Sequence, residues 1–179
     1  NLLRTFSGKS YDLIQKILAD EFGCDFPMPR FRELSAEFWH QSVEITGLAV
    51  KPGLPALLAC FEQYSIPFCL ATNSERRYAE KCLAYAGLAN AFPKRITRDQ
   101  VKAAKPAPDI FLAAAANLGF QPEQCIVLED SETGALAALA ANTRLILVAQ
   151  PDAVSEAVRD RAFAELESLE AFREWIEIR

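Results

Sequence analysis

The chain has 179 residues, is 51% hydrophobic and carries a formal charge of −5. That supplies a core for one domain with a small appendage and excludes global disorder. The acidic balance, with no long basic run, argues against a nucleic-acid surface. With no signal-peptide pattern and no apolar run of bilayer length, no membrane partner is expected either.

Up to about Thr46 the pattern is helical, without a convincing strand. Leu13, Ile14, Ile17 and Leu18 form one apolar stripe at helical spacing. Pro27 and Pro29 break the chain, and Phe31, Leu34, Phe38 and Val43 form a second stripe. From Lys51 the rhythm alternates between helix and strand. A helix is expected over 54–64, a buried strand over 67–71, and a helix over 75–86 ended by Gly87. Ile96 marks a short strand. A helix follows over 109–118, ended by Gly119, then a strand over 125–128, an alanine-rich helix over 135–141 and a strand over 145–148. Phe163 marks a last short strand, and 166–175 a closing helix. Such alternation predicts an α/β fold, a Rossmann-like parallel sheet with right-handed crossovers and helices on both faces. The helical piece, residues 1–48, and the α/β piece, 49–179, join near Gly47 to Gly53.

Cys24, Cys60, Cys69, Cys82 and Cys125 form no CxxC, and His40 is the sole histidine, so a zinc site is not expected. Cys69 and Cys125 read as small buried hydrophobes, and the protein as reduced and cytoplasmic. The chain begins with Asn1 and its one methionine is Met28, so the sequence is expected not to be a whole translation product.

Three strand ends carry the chemistry. The run Cys125-Ile126-Val127-Leu128 stops on Glu129 and Asp130, with Ser131 and Gly134 following. Adjacent acids repel, and each needs a cation or donors to stay ionised. Ligands of parallel sheets sit at these strand ends, and hard oxygen ligands there suit Mg2+. The pair also fits a helix N-terminus decorated with favourable acids. Earlier, residues 67–71 deliver Thr72, Asn73 and Ser74, hydroxyls and amides suited to an anion cradle, although Thr72 or Ser74 could equally be an N-cap. Between them lies Lys102-Ala-Ala-Lys105-Pro106-Ala107-Pro108-Asp109. The prolines stiffen the loop and fix where Lys105 leaves it, and Asp109 is placed to cap the next helix. A lysine so held suits charge neutralisation of a phosphate or carboxylate, whereas Lys102 lacks flanking prolines.

In this order, Thr72-Asn73-Ser74, Lys105-Pro-Ala-Pro-Asp109 and Glu129-Asp130-Ser131-x-x-Gly134 resemble motifs II, III and IV of the haloacid dehalogenase-like hydrolases. The similarity is to the phosphatase and phosphomutase branch that includes β-phosphoglucomutase-like enzymes. It runs from Lys51-Pro52-Gly53 to about Val148 and includes Gly87-Leu88 followed by Phe92. The resemblance implies a HAD-like core and, before Lys51, part of an α-helical cap. Within that cap Gly8-Lys9-Ser10 looks like the substrate-selecting loop, with Lys9 either the contact to a polar or anionic substrate or, equally, a surface lysine at the start of a helix.

The resemblance implies phosphoryl transfer through an aspartyl-phosphate. Thr72 would hydrogen-bond the phosphoryl group with Asn73 and Ser74 beside it, Lys105 would neutralise phosphate and nucleophile, and Glu129 and Asp130 would hold Mg2+. The family's first motif, Asp-x-Asp on the first strand, has no match here: no Asp-x-Asp occurs, and Asp12, Asp20 and Asp25 lack a preceding apolar strand. The chain as it stands is therefore expected to be inert, with a strand of its sheet lacking. Where mutases of the branch commonly carry an arginine, this chain has Tyr11, which favours a phosphatase. Trp39 is expected to pack and His40 to lie at the surface. The expectation is a Mg2+-dependent phosphatase of small phosphorylated metabolites such as sugar phosphates. The alternatives are a phosphosugar mutase and a non-catalytic phosphate-binding protein; oligomeric state stays open.

Overall fold

Short apolar runs separated by helices build the structure, a computed structural model that describes residues 11–148 and 153–178. Two helices come first, α1 (Tyr11–Phe22) and α2 (Met28–Thr46). Leu18 of the first stripe is fully buried, and Pro29 sits in the first turn of α2, where a missing N–H costs nothing. The second stripe turns inward at three of its four positions, with Phe31 and Leu34 half-buried. Val43 is buried, but Phe38 is 69% exposed, and its neighbour Trp39 makes the inward contact. Trp39 packs on Tyr78 and Tyr85 at 5.1 and 5.8 Å, joining α2 to the helix Arg76–Tyr85. His40 is half-buried at the edge of this group, 5.0 Å from Trp39, and is not the surface residue expected. Burial pushes the Tyr78 hydroxyl up to about 12, helped by Cys82.

The α/β region follows as α3 (Leu54–Gln63), β1 (Leu70–Ala71), α4 (Arg76–Tyr85), β2 (Arg95–Ile96), α5 (Asp109–Leu118), β3 (Ile126–Glu129), α6 (Glu132–Ala140), β4 (Arg144–Leu147), α7 (Glu156–Arg159), β5 (Ala164–Glu165) and α8 (Leu169–Glu177). All strand pairs are parallel. In β4, Leu145 and Leu147 pack into one cluster with α5 and α6, while Ile146 packs into a second with Leu57 of α3 and Phe172 of α8. Alternate side chains thus feed two layers, as helices on both faces require. Glycines with positive φ end α2 and α5, at Gly47 (+70°) and Gly119 (+86°).

Two departures matter for function. The expected single sheet is divided into a two-stranded sheet β1-β2 and a three-stranded sheet β3-β4-β5. The run 67–71 forms a strand only at Leu70–Ala71, because it finds a ladder partner on one side alone. Between β1 and β3 lies a slot of about 670 Å³, floored by Leu57 and Phe61 of α3 and roofed by Phe111 and Ala114 of α5. Cys69 and Cys125 lie at this gap and are half-buried, not buried as expected. The other element ends shift by a few residues. Ser131 starts α6 at Glu132, three residues early, and Ser168 delays α8 to Leu169; each hydroxyl accepts an N–H in its first turn, from Gly134 and Ala171. Among the described residues no helix is long and apolar enough to cross a membrane.

Candidate active site

The C-terminal ends of β1 and β3 face each other across the slot, and side chains bridge them. Thr72 leaves β1 with its N–H on the Ile96 carbonyl at 3.0 Å. Its hydroxyl accepts the Ser74 N–H at 3.1 Å, a local turn that makes neither residue the cap of α4. That first amide, Arg76 N–H, goes instead to the Asp99 carboxylate at 2.9 Å. Hydrogen bonds from Thr97 and from this amide hold Asp99 below the usual carboxylate range. The Ser74 carbonyl accepts the Arg98 N–H at 3.0 Å, which leaves the Ser74 hydroxyl as its free donor group.

Asn73 turns its side chain onto the Lys105 main chain: Oδ1 accepts the Lys105 N–H at 2.9 Å and Nδ2 donates to the Lys105 carbonyl at 3.4 Å. The Asn73 side chain therefore fixes a neighbouring loop. The same loop is tied at its other end by Asp109. Pro108 occupies the N-cap of α5, and the Asp109 carboxylate accepts the Ala103 N–H at 3.1 Å rather than capping the helix. Truncating Asn73 would leave both Lys105 backbone groups unpaired. Asn73→Ala is expected to cost about 1.5 kcal/mol of stability, while Asn73→Asp, which keeps the shorter bond, costs less. Urea unfolding midpoints check the order.

Lys105 itself is buried, 8% exposed, an uncommon state for a lysine. Its ammonium donates to Glu129 Oε2 at 2.7 Å and lies 4.6 Å from the centre of the Phe111 ring. The other Glu129 oxygen, Oε1, accepts from the Ser131 hydroxyl at 2.9 Å and from the N–H groups of Asp130 and Ser131 at 3.1 and 3.3 Å. Glu129 is thus held at both oxygens. Ser131 caps α6 and Glu132 supplies its first-turn acid, so the two acids are not mere decoration of a helix start.

Asp130 is exposed. Its Oδ2 accepts from Lys51 at 2.9 Å, and the same ammonium donates to the Val148 carbonyl at 3.0 Å. Among the described residues no group of three or more His, Cys, Asp and Glu side chains converges on a metal-sized space. Two carboxylates at one strand end are nonetheless the usual share a protein gives Mg2+, which keeps water or phosphate for its other positions. Here the solvent-facing Asp130 suits that task better than the fully bonded Glu129.

Thr72, Asn73, Ser74, Lys105, Glu129 and Asp130 are therefore assembled at one end of the sheets, whereas Lys9 lies outside the described residues. Sequence reading missed three things. It noted Lys51 only as the start of the stretch that resembles the family, did not foresee that the Asn73 side chain fixes the Lys105 loop, and gave Gly134 no reason. A Cβ on Gly134 would overlap the Glu129 carboxyl group, so the first turn of α6 closes on that acid.

The model of the haloacid dehalogenase-like hydrolase family matches residues 6–142. Fructose-1-phosphate phosphatase YqaB of Escherichia coli is 47% identical over 75 residues, covering 42% of this chain and 40% of that protein. Hexitol phosphatase A of Escherichia coli is 34% identical over 123 residues, covering 66% and 56%. The chain thus spans about half the length of these curated relatives. Among solved structures, β-phosphoglucomutase from Clostridium difficile superposes with a TM-score of 0.76 at 22% identity, covering 99% of this chain and 83% of that one, a likeness of fold.

Proposed function

We propose that this chain, which belongs to the haloacid dehalogenase-like hydrolase family, supplies the phosphate-binding and metal-binding side of a Mg2+-dependent phosphatase. Its substrates would be small phosphorylated metabolites, sugar phosphates foremost, in the cytoplasm. The observation that carries this reading is the buried Lys105–Glu129 pair, braced by Asn73 on one side and Ser131 on the other, at the mouth of a strand-wide slot. A buried ammonium with two donors left over is a fixed positive charge for a phosphoryl group. The names of the two phosphatase relatives support the substrate class.

In this reading the slot between β1 and β3 receives an extended strand that pairs with both edges. Its end would bring an aspartate to Lys105 and Asp130, with residues 1–48 as part of a helical cap and Lys9 as its substrate contact, and 49–179 as the α/β core. The aspartate oxygen attacks phosphorus, the alkoxide leaves with a proton from an acid on the same strand, and water then cleaves the aspartyl-phosphate. The Thr72 hydroxyl, which accepts from Ser74, still has its own proton to donate to a phosphoryl oxygen. The Ser74 hydroxyl and the main chain of Asn73 would assist Thr72 at the same phosphoryl group. Asp130, with Glu129 behind it, would hold Mg2+, which supplies charge neutralisation for the transferring group.

The full-length gene product is expected to release phosphate from p-nitrophenyl phosphate with Mg2+ and to lose that release in excess chelator. Asp130→Ala is expected to lower kcat/KM about a hundredfold or more. Equal turnover in chelator, or in Asp130→Ala, refutes the metal role. Absence of turnover in any condition favours non-catalytic phosphate binding, and interconversion of phosphosugars without phosphate release favours a mutase.

A further inference from the structure

Lys51 opens the stretch that resembles the family but has no role in its three strand-end motifs, and its ammonium is fixed by two acceptors. Pro52 stiffens the chain after it, and the Lys51 carbonyl accepts the Leu54 N–H at 3.2 Å, closing a turn through Gly53 at φ +82°. Its Nζ then bridges two strand ends, donating to the Val148 carbonyl beyond β4 at 3.0 Å and to Asp130 Oδ2 beyond β3 at 2.9 Å. Val148 is itself tied to β3, its N–H on the Glu129 carbonyl at 2.9 Å.

As a stabilising ion pair this contact is worth little, because the two side chains are 44% and 59% exposed. The bond to Val148 gives it another meaning. A backbone carbonyl holds the ammonium whether or not the acid is present, so the carboxylate is the partner being placed. Asp130 would otherwise turn freely at an exposed strand end, since Glu129, its neighbour, is already held at both oxygens.

We propose that Lys51 is a positioning residue: it grips Asp130 by Oδ2 and presents Oδ1 to the metal. This rests on the metal role proposed above for Asp130. Partners that orient a metal-binding side chain from behind are worth about ten- to a hundredfold in metal affinity. Charge alone predicts the opposite sign, because deleting a cation near a divalent metal removes repulsion and tightens binding.

The test is Mn2+ binding to the full-length gene product, followed by electron paramagnetic resonance without substrate, in wild type, Lys51→Met, Lys51→Arg and Asp130→Ala. Lys51→Met is expected to weaken binding three- to tenfold, the net of lost orientation and lost repulsion, and Lys51→Arg to recover most of it. Unchanged or tighter binding in Lys51→Met, with Asp130→Ala still abolishing it, overturns the positioning role and leaves the metal reading intact. Wild-type binding that is insensitive to Asp130→Ala overturns both. Circular dichroism spectra matching wild type would show that the loss is not unfolding.

Discussion

Lys105→Met is expected to cost about 3 kcal/mol of stability, the scale for removing one partner of a buried ion pair, and to lower phosphate release by the full-length gene product about a thousandfold or more. The side chains of the pair are 9% and 10% exposed, so water cannot replace the lost ammonium at Glu129. Glu129 would keep its donors from Ser131 and the Asp130 and Ser131 amides, all on Oε1. Its Oε2 would be left facing a methionine. The loss should therefore sit toward the lower end of the range for an orphaned buried charge. Adding Glu129→Gln removes that charge while keeping the shape, so the double variant is expected to regain most of the stability. It should regain none of the activity, because the buried ammonium that would neutralise the phosphoryl group is still missing. Urea unfolding and phosphate release on wild type, Lys105→Met, Glu129→Gln and the double variant separate the structural and chemical parts of the pair. Equal instability in the single and double variants would mean that Lys105 stabilises by packing on Phe111, not by its charge.

Much of this site is legible in sequence for a physical reason. Strand ends in a parallel sheet are marked by where apolar runs stop, and the residues that follow must lie at one edge. That logic places Thr72, Glu129 and Asp130 together before any coordinates, and the family resemblance adds Lys105. The links between them are not legible, because they run between segments far apart in sequence. Asn73 and Lys105 are 32 residues apart, and Lys51 and Asp130 are 79 apart. An amide that grips a backbone and one that grips a phosphate look alike in sequence. In the helix α2 one position, Phe38, departs from the expected stripe. Phe38 and Trp39 are both apolar, and periodicity cannot say which one turns inward until Tyr78 and Tyr85 are in place. The divided sheet is likewise invisible locally, since residues 67–71 read as a buried strand whether or not a neighbour pairs with them.

Gly134→Ala carries the sharpest sign. In the first turn of a helix a glycine-to-alanine change ordinarily stabilises by up to about 1 kcal/mol, because alanine has less backbone freedom to lose. Here the added methyl would overlap the Glu129 carboxyl group. That carboxyl cannot step aside freely, being held by Lys105 on one oxygen and by the turn into α6 on the other. Moving it means stretching a 2.7 Å charge-assisted bond in a buried setting, so Gly134→Ala is expected to destabilise by about 2 kcal/mol. The background Lys105→Met/Glu129→Ala takes away both the obstacle and the charge it neutralised. There the same Gly134→Ala change is expected to reverse sign and stabilise by about 0.5–1 kcal/mol, the ordinary helical preference. A double-mutant cycle on unfolding free energies measures the reversal. If Gly134→Ala has the same sign in both backgrounds, glycine is at this position for some reason other than the approach of Glu129. If the sign reverses, the helix start, the acid and the lysine behave as one unit, and the spacing from Glu129 to Gly134 follows from the room that a lysine-bound carboxylate occupies.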